Sequence, residues 1–129
     1  MKITRFEDIE SWQLGRKLTK LVYDAVKGKR FSKDYGLKDQ VCRAAVSIMA
    51  NIAEGFDSGS KAEFARFLSH AQRSCSEVQS EFYVALDQEY VSQEEFDEIY
   101  SMAGKARSKI GGFIKYLKQG TKHKTPVYK

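Results

Sequence analysis

Apolar residues recur at helical spacing along almost the whole chain. In a first segment, over about 8–27, Leu14, Leu18, Leu21 with Val22, and Ala25 fall on one face, and Trp12 joins Phe6 and Ile9 at its entry. The stretch KGKRFSKDYG breaks the pattern, with Gly28 and Gly36 as stops. A second segment, over about 37–54, is apolar on two sides. Leu37, Val41, Ala44, Ala45, Ile48 and Ile52 make one face, and Cys42, Val46, Met49, Ala50 and Ala53 make a roughly opposite one. A helix of this kind is buried on both sides, within its own bundle or between subunits. Gly55 reads as its C′ residue, with Phe56 folding back on the last turn.

Two further segments each open on a capping box, Ser60 with Glu63 and Ser92 with Glu95. In the third segment Phe64, Leu68, Ala71, Cys75, Val78, Phe82 and Ala85 alternate spacings of four and three. Phe96, Ile99, Ala103, Ala106, Ile110, Phe113 and Leu117 do the same in the fourth. Such heptads belong to helices that cross at a shallow angle. Gly111 and Gly112 weaken the fourth helix, and a close helix approach there would account for them. Short connections between long helices make neighbours antiparallel. The pattern therefore predicts an all-α, single-domain, up-down four-helix bundle over 1–120, followed by a basic tail over 121–129.

Composition supports this and adds little: one proline in 129 residues, Pro126, and 42% hydrophobic residues, enough for one core. No apolar stretch has the length of a membrane span or the layout of a signal peptide, so a cytoplasmic location is expected. Cys42 and Cys75 stand apart inside helical patterns and read as buried, reduced thiols.

Charge changes the picture more. The net charge is +5, and it is segregated. Over 74–104 lie Glu77, Glu81, Asp87, Glu89, Glu94, Glu95, Asp97 and Glu98, with no Lys or Arg. Over 105–129 lie Lys105, Arg107, Lys109, Lys115, Lys118, Lys122, Lys124 and Lys129, with no acid. The basic block reads either as a solvated face with a soluble tail or as a footprint for nucleic acid.

The apolar second segment also carries a polar line: Gln40, Arg43, Ser47, Asn51 and Glu54, at spacings of three and four. Folding it back on the third segment brings this line against Ser74, Glu77 and Glu81, with Arg43 and Glu77 as the natural ion pair. Three readings compete. Catalysis by the glutamates lacks a nucleophile-and-base pair, and both His70 and His123 stand apart. A carboxylate-bridged metal pair lacks the Glu-x-x-His spacing. The favoured reading is structural: polar groups that pair across helices and fix their register. Asn51 and Glu54 then form a clasp on the loop and the start of the third helix. No cofactor motif is present.

Three strings, FEDIESWQLGRKL, LKDQVCRAAVSIMANIAEG and EFARFLSHAQRSCSE, resemble the 23S rRNA intervening-sequence protein family, also named four helix bundle protein. The resemblance spans nearly the whole chain to about Leu117 and centres on Asn51 to Gly55 with Ser74 and Glu77. Gly15 stands where alanine is more usual, and Met49 where proline often occurs. The resemblance implies a small bacterial cytoplasmic four-helix bundle, some of whose relatives are encoded inside insertions in the large ribosomal RNA gene. It further implies a homopentamer, no enzymatic activity, and likeness in fold to the accessory variability protein of diversity-generating retroelements, which binds nucleic acid and a reverse transcriptase. The expected function is thus a non-catalytic oligomer that binds structured RNA or DNA through Lys105, Arg107, Lys109, Lys115 and Lys118, with Lys122 and Lys124 of the tail. The alternative is a protein-binding scaffold or adaptor.

Overall fold

The computed structural model describes residues 2–120. The expected tail, with Lys122, Lys124 and Pro126, lies outside the described residues. Four α-helices follow in chain order: α1 (Glu10–Ala25), α2 (Tyr35–Asp57), α3 (Lys61–Asp87) and α4 (Gln93–Gly120), with short 3-10 turns at Phe6–Asp8 and Phe31–Lys33. Each helix packs on the next, and α1 closes against α4, so the described residues form the expected up-down four-helix bundle.

The two heptad patterns account for the core. Every named position of α3, from Phe64 to Ala85, is buried, and on α4 all are buried except the half-buried Phe113. Ring contacts stitch the bundle's ends. Phe64 meets Phe113 edge-on at 5.1 Å, Phe31 meets Phe82 at 6.0 Å, and Phe6 covers Trp12 at 5.2 Å. At the far loops Phe31 stacks on Tyr90 at 5.1 Å, and the Tyr90 hydroxyl donates to Asp34 at 2.9 Å. The same Asp34 caps α2 by accepting from the Leu37 amide.

The cap of α4 is a complete box: Ser92 Oγ accepts from the Glu95 amide at 3.0 Å, and the Glu95 carboxylate accepts from the Ser92 amide at 2.8 Å. The box on α3 is half formed. Ser60 Oγ accepts from the Glu63 amide, while the Glu63 carboxylate turns to Arg66.

Two glycine readings are corrected. Helix α2 does not stop at Glu54 but runs three residues past it, to Asp57. Gly55 is therefore helical and buried, and a Cβ placed on it would lie 2.8 Å from the Phe64 ring and 2.9 Å from Phe67. It is a close-approach glycine, while the turn into α3 uses Gly59, whose φ is 82°. Helix approach at Gly111 and Gly112 is likewise not what surrounds them: Gly111 faces the end of the Gln72 side chain, and Gly112 faces open space.

Helix α3 ends in a Schellman motif, with the Tyr90 amide bonded to Ala85 O at 2.8 Å and the Glu89 amide to Leu86 O at 2.9 Å. The left-handed residue this motif needs is Glu89, at φ 60°. A side chain there costs about 1 kcal/mol relative to glycine. Glu89→Gly is therefore expected to stabilise the protein by about that amount, less the entropy glycine restores to the unfolded chain, read as a higher urea midpoint.

Candidate functional site

The seam between α2 and α3 is built from small polar side chains. Ser47 Oγ lies 3.0 Å from Ser74 Oγ. The Asn51 amide donates to Ser47 O at 2.8 Å and to Ser47 Oγ at 3.0 Å, and Ser74 Oγ donates to His70 O at 3.2 Å. One assignment satisfies all of these contacts. Asn51 donates to Ser47, Ser47 donates to Ser74, and Ser74 donates to a backbone carbonyl, so each hydroxyl gives one hydrogen bond and accepts another. In an antiparallel pair this register also sets Arg43 about level with Glu77.

The expected Arg43–Glu77 pair nevertheless does not form. Arg43 reaches back along its own helix to Asp39 at 2.9 Å, and both are largely exposed. A partner four residues away on the same helix needs less side-chain ordering than one on another helix. Gln40, Glu54 and Glu77 are exposed as well, so the covered part of the two facing polar lines shrinks to Ser47, Asn51, Ser74 and the half-buried Glu81. The Glu54 carboxylate makes no hydrogen bond or ion pair among the described residues, so the expected clasp on α3 does not form. What closes that end instead is Ser58, whose hydroxyl donates to Gly55 O at 2.7 Å.

Glu81 stands two turns beyond Ser74 on α3. It is half-buried, and its Oε1 atom has no partner among the described residues. Burial, with the neighbouring Glu77 charge, pushes its carboxyl up to about 7. Among the described residues no three His, Cys, Asp or Glu side chains converge as a metal site, and His70 faces arginines rather than a carboxylate or a nucleophile.

Lys105, Arg107, Lys109, Lys115 and Lys118 are all exposed on α4. They do not share one line. At about 100° per residue they spread around the whole outer arc of the helix. Arg107 sits toward α3, where its carbonyl accepts from Gln72, and Lys109 sits toward α1, where it meets Glu10 at 3.4 Å.

A groove of about 840 Å³ between α1 and α4 adds three bases that the sequence reading did not single out, Arg16, Lys17 and Lys20. Trp12, Leu21 and Met102 form part of its wall, and Arg16, Lys17 and Lys20 line it beside Glu7 and Glu98. Arg16 lies over the Trp12 ring at 6.0 Å. The string GRKLTK was the available signal: three bases within five residues, 16–20.

Two further patches among the described residues are apolar and open. On the second face of α2, Met49 is covered by α1, with its sulfur 3.4 Å from Thr19 Oγ1, while Val46 stays 43% exposed and Ala50 is exposed. Near the α3–α4 loop, Tyr83, Val84 and Tyr100 are exposed within the acidic block.

These features define a helical bundle with a hydroxyl-and-amide seam and a segregated surface charge. The chain belongs to the 23S rRNA-intervening sequence protein family, whose pattern it matches over residues 7–112. Its fold is similar to the crystal structure of a protein of unknown function from the S23 ribosomal protein family of Bacteroides thetaiotaomicron. The two are 23% identical, with a TM-score of 0.70 over 81% of this chain and 94% of that one. No curated protein matches the chain.

Proposed function

We propose that this protein is a non-catalytic, cytoplasmic homo-oligomer, a pentamer by family likeness, that binds structured RNA through the basic outer surface of α4 and the tail beyond it. The observation that carries this reading is the acid-free run of exposed Lys105, Arg107, Lys109, Lys115 and Lys118. Cations spread around an arc fit a phosphate backbone, which needs charge more than fixed geometry, and they would read little sequence. The open Val46–Ala50 face of α2 suits contact with a sister subunit, and a ring would repeat the basic surface in every copy. No helix among the described residues is long and apolar enough to cross a membrane.

The test is fluorescence anisotropy with an RNA hairpin at several salt concentrations. Affinity is expected to fall steeply with salt, with a log–log slope of about −0.7 to −0.9 per phosphate neutralised. Changing Lys105, Lys109, Lys115 and Lys118 together to glutamine is expected to weaken all RNA sequences alike, flatten the slope and leave the fold intact. Absence of RNA binding at low salt, or binding that ignores these four lysines, would favour the scaffold reading. The observation behind that second reading is the exposed Tyr83, Val84 and Tyr100 amid the acidic block, a surface suited to a basic protein partner.

A further inference from the structure

The outer face of α3 gathers three basic side chains more tightly than α4 does. Arg66, His70 and Arg73 follow at spacings of four and three, which puts them on one line. Arg66 is held from two sides. Its Nη2 meets Glu63 Oε1 at 2.8 Å, and its guanidinium lies 4.9 Å from the Phe67 ring centre. This aims the remaining Nη1 at His70 Nε2, 3.4 Å away. From the other side Arg73 Nη2 is in direct contact with His70 Nδ1.

An imidazole in this bracket has too few acceptors. A neutral ring accepts at one nitrogen only, and a protonated ring at none. At least one guanidinium N–H is therefore turned toward a nitrogen that cannot receive it. Arg73 has no carboxylate partner among the described residues, not even Glu77, one turn further on. Three donors thus converge with a shortage of acceptor lone pairs. A tetrahedral oxyanion has several, in the geometry that guanidinium forks match.

We propose that Arg66, His70 and Arg73 form an oxyanion site for a phosphate group. Its natural ligand, a backbone phosphate of RNA, rests on the nucleic-acid reading above, but the site is separate from the α4 lysines. It would fix the orientation of an RNA that the α4 arc holds by charge alone.

Two measurements test this on the full chain. In the first, inorganic phosphate is titrated while the His70 ring resonances are followed by NMR, with His123 as the only other histidine to assign. A saturable shift of His70 is expected, and its loss in the Arg66→Gln/Arg73→Gln double variant. In the second, the same variant is expected to bind an RNA hairpin about tenfold more weakly and with a salt slope smaller by about one phosphate. Arg66→Lys/Arg73→Lys, which keeps charge but loses the fork, is expected to fall between the two. Arg66 and Arg73 are exposed, so the variants are expected to fold, as circular dichroism would check. RNA affinity unchanged in the double variant overturns the inference. If the α4 glutamine variant has meanwhile lost binding, the proposed function stands without it. If the wild type binds no RNA, that function falls, and the phosphate titration alone decides the site: a His70 that does not respond overturns it.

Discussion

Gly55→Val is expected to lower the stability of the protein by about 3 kcal/mol, the upper end of what overpacking costs in a filled core. A Cβ at this position already lies inside contact distance of the Phe64 ring and the Phe67 Cβ, and Phe64 is fully buried. Neither atom is the free end of a flexible chain, so relief requires α2 and α3 to separate where they turn into one another. Gly55→Ala should lose less, because alanine recovers about 1 kcal/mol of helix propensity. Gly112→Ala supplies the opposite sign. It is helical and exposed, with nothing near its added Cβ, and should gain about 1 kcal/mol. Urea unfolding of the three variants checks the set, and a neutral Gly55→Val would refute the close-approach reading.

The second large effect is a fall in stability as pH rises through neutrality, caused by Glu81. Its folded carboxyl is raised to about 7, first by burial and then by Glu77. A raised carboxyl favours the protonated form in the folded state. Its contribution is therefore fully present below the ordinary carboxylate range and lost as pH passes about 7. Glu81 is only half-buried, so solvent screening reduces the effect to on the order of 1 kcal/mol. Asp8, Asp24 and Glu63 shift the other way, held low by hydrogen bonds and neighbouring cations, so they act only at more acidic pH. The urea midpoint should be higher at about pH 5.5 than at about pH 8. Glu81→Gln should abolish the difference and raise stability at the higher pH. A variant that kept the full pH dependence would place its origin elsewhere.

The heptads of α3 and α4 were legible in the sequence because burial follows directly from a repeat of seven, whatever the helices pack against. The end of α2 was not. A glycine after an apolar run suits a left-handed cap or a close helix contact equally well, and what decides between them at Gly55 is the position of Phe64 and Phe67 on another helix. Pairing across helices failed for a different reason. The Ser47–Ser74 register sets Arg43 about level with Glu77, but both side chains are exposed, and the partner four residues back on the same helix won. Ser47 and Ser74 were placed on the facing lines, but the relay through Asn51 depends on hydroxyl geometry that spacing does not carry. The exposure of the α4 bases was readable from charge alone. The bracket around His70 was not legible because arginines four before and three after a histidine have the same spacing as any solvated basic helix face.

The segregated charge on α4 has an electrical consequence. Glu94, Glu95, Asp97 and Glu98 occupy its first turns, and Lys105 to Lys118 its second half, so the two sets are centred about 20 Å apart along the axis. Side-chain charge of this polarity opposes the backbone macrodipole at both ends, which favours the helix. It also gives the subunit a permanent moment of its own. Approaching a polyanion, such a subunit experiences a torque as well as an attraction, and turns its carboxy-terminal half forward before any contact forms. In a closed ring these moments would add along the symmetry axis and cancel across it, so the two faces of the ring would carry opposite sign wherever α4 ran along that axis.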